Sequence, residues 1–304
     1  MSVKLHPRDT TVAAAAAILA CLAFPLSLHS SSMPAQTVSR DDVLSRLGAY
    51  LAAYEKELSS VVADERYEQE YKVASFGRAI STQRRRLESD FLFLRLPGAG
   101  AWLGFRDTFQ VDGKPVGQER RDLAQRLSSG GSDAIDEARR ITAENSRYNL
   151  GDVPRTINAP MLTLDLLTQE RQTHFTFHIG RLEKIDGRRA MRIDFAENTR
   201  PTIVRTQQEA DQRARGTVWV DPEDGGVEKT MLDLGDDSPT EDFVHTRITV
   251  TYAQELTLGL RVPVEMVEVY SRRPQDDGLS FQIVAQARYS RFRRFLVDAR
   301  ILPN

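Results

Sequence analysis

Cysteine is nearly absent from this sequence, which contains one thiol, Cys21, among 304 residues. Cys21 lies in an N-terminal segment that we expect to be removed, so the remaining chain would contain none. This excludes disulfides as a source of stability and thiolate-bound zinc as a structural centre. We therefore expect the fold to be stabilised by burial of apolar side chains, for which the chain is long enough.

A surplus of charge of either sign is also missing. The 41 Lys and Arg residues and the 43 Asp and Glu residues give a net charge of −2. Nucleic-acid-binding domains usually have a strongly basic surface, so nucleic acid is not an expected partner. With 28% charged and 40% hydrophobic residues, the composition is that of an ordinary soluble globular protein.

Common catalytic motifs are missing as well. The sequence has no Gly-x-Ser-x-Gly elbow, no phosphate-binding GxxxxGK[ST] loop and no GxGxxG after a strand. A nucleophilic site needs a base, and only three histidines follow residue 35, at positions 174, 178 and 245. We predict a protein that is not an enzyme and has no cofactor. A hydrolase with an unrecognised pair of carboxylates is a third hypothesis, behind two binding functions.

The only long apolar run lies at the N-terminus. Two basic residues precede a predominantly apolar stretch of 17 residues at 12–28, and small and polar residues follow. This order is typical of a secretory signal peptide, and the run is at the short limit for a membrane span. We assign residues 1–35 to a signal peptide cleaved near Ser32 or Ala35. The rest of the chain, 36–304, is then a single periplasmic or secreted domain.

A lipoprotein signal is the less favoured interpretation of the same segment. Ile18-Leu19-Ala20-Cys21 resembles a lipoprotein box, but Leu19 fits it poorly and the apolar run continues past Cys21. Cys21 is more simply one further apolar residue of the signal peptide.

The stretch Gly216–Leu234 predicts a hairpin around which the chain is organised. Val218 and Val220 alternate with polar or aromatic residues, as in a strand. The Asp-Pro and Asp-Gly-Gly steps after Val220 favour a tight turn. A second apolar run then ends at Leu234.

The other elements follow the same two periodicities. Leucines and Tyr54 recur at steps of three and four in residues 41–60, which predicts an amphipathic helix. Alternating runs separated by four Asp-Gly steps predict an antiparallel meander. Short helices are expected in an insert at 118–168, and a short edge strand at 201–205. The predicted fold class is α+β, mainly β: a curved antiparallel sheet forming an incomplete barrel, with an N-terminal helix and a short helical insert.

Two motifs resemble metal sites but lack the spacing or the ligands that such sites require. His174 and His178 lie in a predicted strand, where residues four apart are separated by about 13 Å, too far for one zinc ion. Asp221 and Asp224 resemble the start of a calcium loop, but Leu232 stands where the bidentate Glu is required. We predict no metal site.

Two arginine clusters, Arg84-Arg85-Arg86 and Arg291 with Arg293 and Arg294, stand out from the balanced charge. Solvated strand ends are the simpler interpretation. The alternative is peripheral contact with anionic lipid headgroups, for Arg84, Arg85 and Arg86 in particular.

In this order of elements the chain resembles bacterial envelope proteins of the lipoprotein-localisation type (LolA- and LolB-like). The resemblance rests on the early helix, the insert, the long meander and the hairpin segment Gly216–Pro222 with Gly225–Val227. The tail Tyr289–Phe295 also resembles uncharacterised exported proteins. The resemblance implies an open half-barrel with short helices at its mouth.

Such a half-barrel implies an apolar cavity that binds a lipid or the acyl chains of a lipoprotein. The residues predicted to line it are large and apolar: Phe91, Phe93, Leu103, Phe105, Phe109, Trp219 and Met231. The alternative function is an envelope sensor or scaffold that binds a protein partner without transport.

Overall fold

The structure is a computed structural model of the chain. It describes residues 39–59, 61–94, 103–116, 140–151, 153, 155, 160–206, 209–235, 244–272 and 278–294. The predicted signal peptide, the 118–127 helix and the start of the next helix lie outside these residues.

The first element is the predicted amphipathic helix, α1 (Arg40–Leu58). Its N-terminus is capped by Ser39, whose side chain accepts a hydrogen bond from the backbone N–H of Asp42. Such a bond satisfies one of the N–H groups that a helix start leaves unpaired. One stripe of α1 is buried, as its three- and four-residue spacing predicts: Val43, Leu44, Leu47, Gly48, Leu51, Tyr54 and Leu58.

All the strands belong to one curved antiparallel sheet. They are β1 (Val61–Ser75), β2 (Arg78–Leu94), β3 (Leu103–Val111), β4 (Lys114–Pro115), β5 (Phe175–Ile185), β6 (Arg188–Glu197), β7 (Ala214–Val220), β8 (Val227–Leu234), β9 (Val244–Glu255), β10 (Leu260–Arg272) and β11 (Leu279–Arg294). The helical segment 140–146, α2 (Leu162–Leu166) and a 3₁₀ turn, Gln172–His174, lie between β4 and β5.

The order of strands across the sheet is β4-β3-β2-β1-β11-β10-β9-β8-β7-β6-β5. Neighbours are therefore consecutive in the chain except β1 and β11, which join the first four strands to the later seven. β4 and β5 form the two edges and do not pair with each other, so the sheet is open. The predicted fold class is confirmed: a mainly β, α+β fold with an open curved sheet and an N-terminal helix.

Tight turns join several pairs of consecutive strands. Asp112-Gly113 and Asp186-Gly187 both have positive φ angles, 50° and 79° in the first turn and 48° and 84° in the second. These are hairpin turns for which Asp-Gly is favoured. The β1–β2 turn has the same backbone form at Phe76-Gly77, with φ of 48° and 78°. No Asp or Asn marks that turn in the sequence.

Two local predictions are wrong. Residues 201–205 form no strand; Thr202 and Gln212 are instead held by side-chain hydrogen bonds, and only Arg205 forms an isolated bridge with Asp211. The strand predicted to contain both His174 and His178 begins only at Phe175, because residues 172–174 form a 3₁₀ turn.

The core lies between α1 and one side of the sheet. We call that side the inner face and the opposite side the outer face. Side chains on successive strand residues point to opposite faces, so the strand register places every described strand residue on one face or the other.

Candidate functional site

Two rows of paired residues show how the inner face changes across the sheet. From β2 to β5, neighbouring partners in one row are Arg85, Gln69, Ala285, Glu268, Ile248, Leu232, Gly216, Phe195 and Phe177. The next row is Leu87, Tyr67, Ala287, Met266, Val250, Thr230, Val218, Ile193 and Ile179. In these rows the charged and amide side chains lie on β1, β2 and β10, whereas the residues of β5–β9 are mostly apolar. We therefore call the inner face of β5–β9 the apolar half, and that of β1–β3, β10 and β11 the polar half.

The helix α1 packs on the inner face, contacting β10 as well as the apolar half, and is held at the β7–β8 turn. The Arg46 Nη1 group donates to the carbonyl oxygen of Pro222 at 2.5 Å. Gly225, with φ of 75°, lies so close to α1 that a Cβ atom there would meet the carbonyl oxygen of Arg46 at 2.6 Å. Position 225 therefore requires glycine for two reasons: its φ is positive, and α1 lies too close to leave room for a Cβ atom.

The carboxylates of this turn are neutralised by Arg261 of β10. Arg261 lies 3.5 Å from Asp221, 3.1 Å from Asp224 and 3.0 Å from the buried Glu228. Burial raises the pKa of the neighbouring Tyr50 on α1 to about 12. The acidic residues that resemble a calcium loop are thus ion-paired beneath α1.

The polar half contains a buried ion pair between β1 and β3, the two strands on either side of β2. Arg106 of β3 donates to both carboxylate oxygens of Glu65 of β1, at 2.5 and 2.7 Å. Their side chains are 7% and 0% exposed. Burial opposes the charge on Arg106, but the Glu65 carboxylate holds its pKa above the ordinary value. The Arg106 guanidinium also stacks 3.9 Å from the centre of the Tyr67 ring.

A second buried carboxylate, Glu268 of β10, accepts two phenol hydrogen bonds. Tyr67 donates at 2.6 Å and Tyr270 at 2.9 Å. Burial raises the pKa of Glu268, although both hydrogen bonds and the nearby Arg106 and Arg155 oppose that rise. This carboxylate therefore costs more to ionise than one in water.

Tyr148, Leu150 and Arg155, from the segment that follows the helical residues 140–146, cover the polar half. Arg155 donates to Tyr67 Oη at 3.0 Å, to Gln69 Oε1 at 2.7 Å and to the carbonyl oxygen of Leu150 at 2.5 Å. Gln69 returns a hydrogen bond to the carbonyl oxygen of Tyr148 at 3.1 Å. The contacts are directional, unlike those between α1 and the apolar half. Sequence reasoning missed this network, although the many polar residues of β1 were a signal.

The seven residues predicted to line a cavity lie on both faces. Phe91 and Phe93 are on the inner face and buried, with ring centres 4.9 Å apart. Phe105 pairs with Leu92, which lies between those two, and so faces outward; it is also buried.

Trp219 and Met231 also face outward. Trp219 is buried, and its Nε1 donates to Glu183 at 2.8 Å. Met231 is half-buried and pairs with Thr217. Phe109 is half-buried in β3, and the side chain of Leu103 is outside the described part of the chain. The structure thus brings Phe91 and Phe93 together and separates them from Phe105, Trp219 and Met231. The ligand-lining role of all seven stays a prediction.

The two arginine clusters are largely ion-paired. Arg84 pairs with Glu70, Arg85 lies 4.0 Å from Asp112, and Arg86 lies 3.7 Å from Glu88. An open cleft of about 750 Å³ is lined by this cluster together with acidic, amide and apolar residues: Glu68, Gln69, Glu70, Arg84, Arg85, Arg86, Asp112, Val284 and Gln286. Since three carboxylates line the same cleft, it has little excess positive charge.

The other cluster is paired in the same way. Arg291 and Arg293 both contact Asp64, Arg293 also contacts Asp90 at 2.7 Å, and Arg294 donates to the carbonyl oxygen of Glu57. These arginines connect β11 with β1, β2 and the end of α1.

Within the described ranges, no three His, Cys, Asp or Glu side chains are grouped closely enough to bind a metal ion. Among the same residues, no helix has the length and hydrophobicity needed to cross a bilayer.

Comparison with known proteins found no matching family model and no matching curated protein. Several solved structures are similar in fold. A domain described as a putative outer membrane lipoprotein-sorting protein from Vibrio parahaemolyticus is 13% identical, with a TM-score of 0.33, and the match covers 84% of this chain and 94% of that one.

A LolA superfamily protein from Nitrosomonas europaea is 10% identical, with a TM-score of 0.28, over 84% of this chain and 94% of that one. A DUF1329 family protein from Desulfovibrio piger is 11% identical, with a TM-score of 0.34, over 84% and 93%. The first two belong, by their descriptions, to the class that the sequence resembles. Because identities and TM-scores are this low, function has to be argued from the chain's own residues.

Proposed function

We propose that this protein is a non-catalytic binding protein for the acyl chain of a lipid or of a lipidated partner. The acyl chain would lie against the apolar half, in place of part of α1. The observation that supports this is the contrast in how the two halves are covered. A single amphipathic helix packs on the apolar half mainly through apolar side chains, whereas Tyr148, Leu150 and Arg155 are hydrogen-bonded to the polar half.

An acyl chain and the apolar stripe of α1 would both cover the sheet with aliphatic groups. Burial of a methylene contributes about 0.8 kcal/mol without requiring a particular orientation. An apolar ligand can therefore replace Leu44, Leu47 and Leu51 without leaving a buried polar group unpaired. Among the described residues, few directional bonds hold α1: Gln172 donates to the carbonyl oxygen of Leu44 at 3.2 Å, Arg46 contacts Pro222, Tyr50 contacts Arg261, and Arg294 contacts the carbonyl oxygen of Glu57.

The polar half sets the limit of this site. An acyl chain there would separate Glu65 from Arg106 or Glu268 from its two tyrosines, and unpaired buried charges are costly. Of the seven residues predicted to line the cavity, Phe91 and Phe93 are on the inner face but belong to β2 in the polar half, so the proposal places them outside the acyl site. Phe105, Trp219 and Met231 would support the sheet from the outer face.

The proposal includes export. We infer that residues 1–35 are a signal peptide and that residues 36–304 form one periplasmic or secreted domain, with a helical insert at 118–168. The intact mass of protein isolated from the producing cell's envelope should correspond to a chain starting near residue 33 to 36. A mass that includes Met1 would contradict cleavage, and a diacylated Cys21 would indicate the lipoprotein alternative.

A reversible lock on α1 tests the acyl site. A Cβ atom on Gly48 of α1 would lie 3.1 Å from the Cβ atom of Gln169, so a disulfide between these positions needs only a small shift. Gln169 belongs to the segment anchored to β9 by Tyr252, which donates to the carbonyl oxygen of Pro160 at 2.8 Å. In a Cys21→Ser background, the Gly48→Cys/Gln169→Cys variant should bind a fluorescent fatty acid when reduced and lose binding when oxidised.

The two single-cysteine variants are the controls, because neither can form the lock. Equal binding by the oxidised and reduced double variant would show that the ligand does not enter beneath α1. If the parent protein binds no fatty acid and carries no lipid in native mass spectrometry, acyl binding is wrong and an envelope scaffold for a protein partner becomes the better hypothesis.

A further inference from the structure

The turn between β1 and β2 and the start of β2 each expose one large apolar side chain. Phe76 is 82% exposed and Ile80 is 60% exposed. Phe76 donates its backbone N–H to the carbonyl oxygen of Gly278, and its ring lies over that glycine. Most of the ring therefore faces solvent at the tip of a long hairpin.

Neither local structure nor packing favours phenylalanine at this turn. Phe76 has a φ of 48°, a backbone form in which a bulky side chain is uncommon. Asn, Asp or Gly is usual there, and Asp occupies the matching position in the turns at 112 and 186. Because most of the ring is exposed, burial of the side chain does not compensate for this unfavourable backbone conformation. An exposed aromatic residue without a structural reason suggests a binding role.

The hairpin that ends in this tip carries a positive charge over residues 71–87. Residues 71–87 contain five cations, Lys72, Arg78, Arg84, Arg85 and Arg86, and no carboxylate. Arg84 and Lys72 pair with Glu70, further along β1 from the tip. Arg78 is exposed beside Phe76 and has no ion-pair partner among the described residues.

We propose that the β1–β2 tip contacts an anionic membrane surface, with Phe76 and Ile80 entering the headgroup region and Arg78 binding lipid phosphate. An exposed aromatic ring and an aliphatic side chain flanked by arginine fit such an interface, where the apolar groups enter and the charges stay at the headgroups. The inferred contact lies at the hairpin tip and not at Arg84–Arg86, where the side chains already have acidic or backbone partners. It does not depend on acyl binding at the apolar half.

The chain offers a matched control in Leu256. Leu256 is 86% exposed in the β9–β10 turn, but its neighbour is Glu255, not arginine. β10 begins beside that turn and ends at Arg272, which pairs with Phe281 next to the β1–β2 tip. Leu256 therefore lies at the opposite end of the sheet. A general effect of apolar exposure would involve both turns, whereas a membrane-contacting tip involves only Phe76.

The test is co-sedimentation with vesicles of phosphatidylcholine alone or containing about one-third phosphatidylglycerol, an anionic lipid. The parent protein should bind the anionic vesicles more strongly. Phe76→Ser should weaken that binding about tenfold, the effect of removing one buried aromatic side chain. Arg78→Gln should weaken it about fivefold, and Leu256→Ser should leave it unchanged.

Two further measurements separate membrane contact from loss of structure or loss of the acyl site. Phe76→Trp should shift its emission to shorter wavelength when anionic vesicles are added, and Leu256→Trp should not. Phe76→Ser should keep the parent's melting temperature and its fatty-acid binding.

Absence of vesicle binding by the parent, equal binding to both compositions, or equal losses for Phe76→Ser and Leu256→Ser would each overturn the proposal. Capture of a protein through Phe76 without vesicle binding would also overturn it.

Discussion

The two halves of the inner face are buried to the same extent but by different chemistry. On the apolar half, Val218, Leu232 and Ile248 are at most 1% exposed beneath α1. On the polar half, Glu65 and Glu268 are 2% and 0% exposed beneath the segment that covers that half. The extent of burial alone therefore does not show whether a ligand could displace the segment that covers a surface.

The difference lies in what each half requires of its cover. Apolar side chains gain from any apolar neighbour, so the helix can be exchanged for a molecule of similar polarity. A buried carboxylate requires donors at defined positions, and removal of one donor leaves an uncompensated charge. The two halves should therefore respond differently to mutation, with effects that decrease from the buried ion pair to the helix cap.

Loss of the buried ion pair should have the largest effect. Arg106→Ala leaves Glu65 charged and without its two strongest donors, which should lower the free energy of unfolding by about 3–5 kcal/mol. Urea unfolding followed by circular dichroism measures this change.

The matched control is Arg66→Ala on the same sheet. Arg66 pairs with Glu68, but these side chains are 53% and 39% exposed. Water screens such a pair, so its loss should cost no more than about 1 kcal/mol. Equal effects of the two substitutions would show that the polar half is hydrated rather than buried.

Truncation of the helix stripe should come next. Leu47→Ala removes a fully buried side chain of α1 and should destabilise the fold by about 3 kcal/mol. Leu256→Ala, in an exposed turn, should stay within about 0.5 kcal/mol of the parent. If a fatty acid fills the space left by Leu47→Ala, it should raise the variant's melting temperature more than the parent's. If the fatty acid raises both melting temperatures equally, the apolar half is not where it binds.

The polar half should give stability a pH dependence that the apolar half lacks. Because burial raises the pKa of Glu268, the folded protein retains that proton at a pH at which the unfolded chain has released it. Between the unfolded value of 4.5 and the higher folded value, the folded state binds more protons, so this residue's contribution to stability falls as pH rises.

Glu268→Gln should remove that fall and flatten the dependence of the unfolding free energy on pH above 4.5. Melting curves of both proteins at a series of pH values check this. Glu255→Gln is a suitable control, since Thr257 hydrogen bonds lower the pKa of that exposed carboxyl group. Parallel pH profiles of Glu268→Gln and the parent would contradict the assignment.

The smallest effect is expected at the start of the helix that covers the apolar half. Ser39→Ala removes the hydrogen bond from the Asp42 N–H, which should cost about 1 kcal/mol. Ser39→Asp should restore most of it, because aspartate caps helices as well as serine does. Unfolding measured at high salt and low salt separates this cap from charge effects. Equal stability of Ser39→Ala and the parent would mean that α1 is held by packing alone.

Much of the fold is predictable from the sequence because its signals are local. The three- and four-residue spacing of Leu44, Leu47 and Leu51 placed α1 within two residues of its observed ends. The Asp-Gly steps at 112 and 186 marked hairpin turns because Asp and Gly both tolerate positive φ. The Phe76-Gly77 turn was not recognised as a hairpin, since phenylalanine gives no such signal.

The candidate site was less predictable, because alternation along a strand shows which residues share a face but not which face points inward. Trp219 and Leu232 are both apolar strand residues, yet one faces outward and the other inward. Which side becomes the inner face is decided by where α1 packs. The apolar residues that we expected to line one cavity therefore lie on both faces of the sheet.

The sequence by itself therefore determined the helices, strands and turns, since each depends on residues a few positions apart. Only the tertiary structure decided which charges are buried together. Glu65 meets Arg106 across 41 positions, and Tyr67 meets Glu268 across 201 positions. The first pair is brought together across β2 by the β1–β2 and β2–β3 pairings, and the second across β11 by the β1–β11 and β10–β11 pairings. Because hydrogen bonds and ion pairs act over a few ångströms, their partners are set by this register and not by distance along the chain.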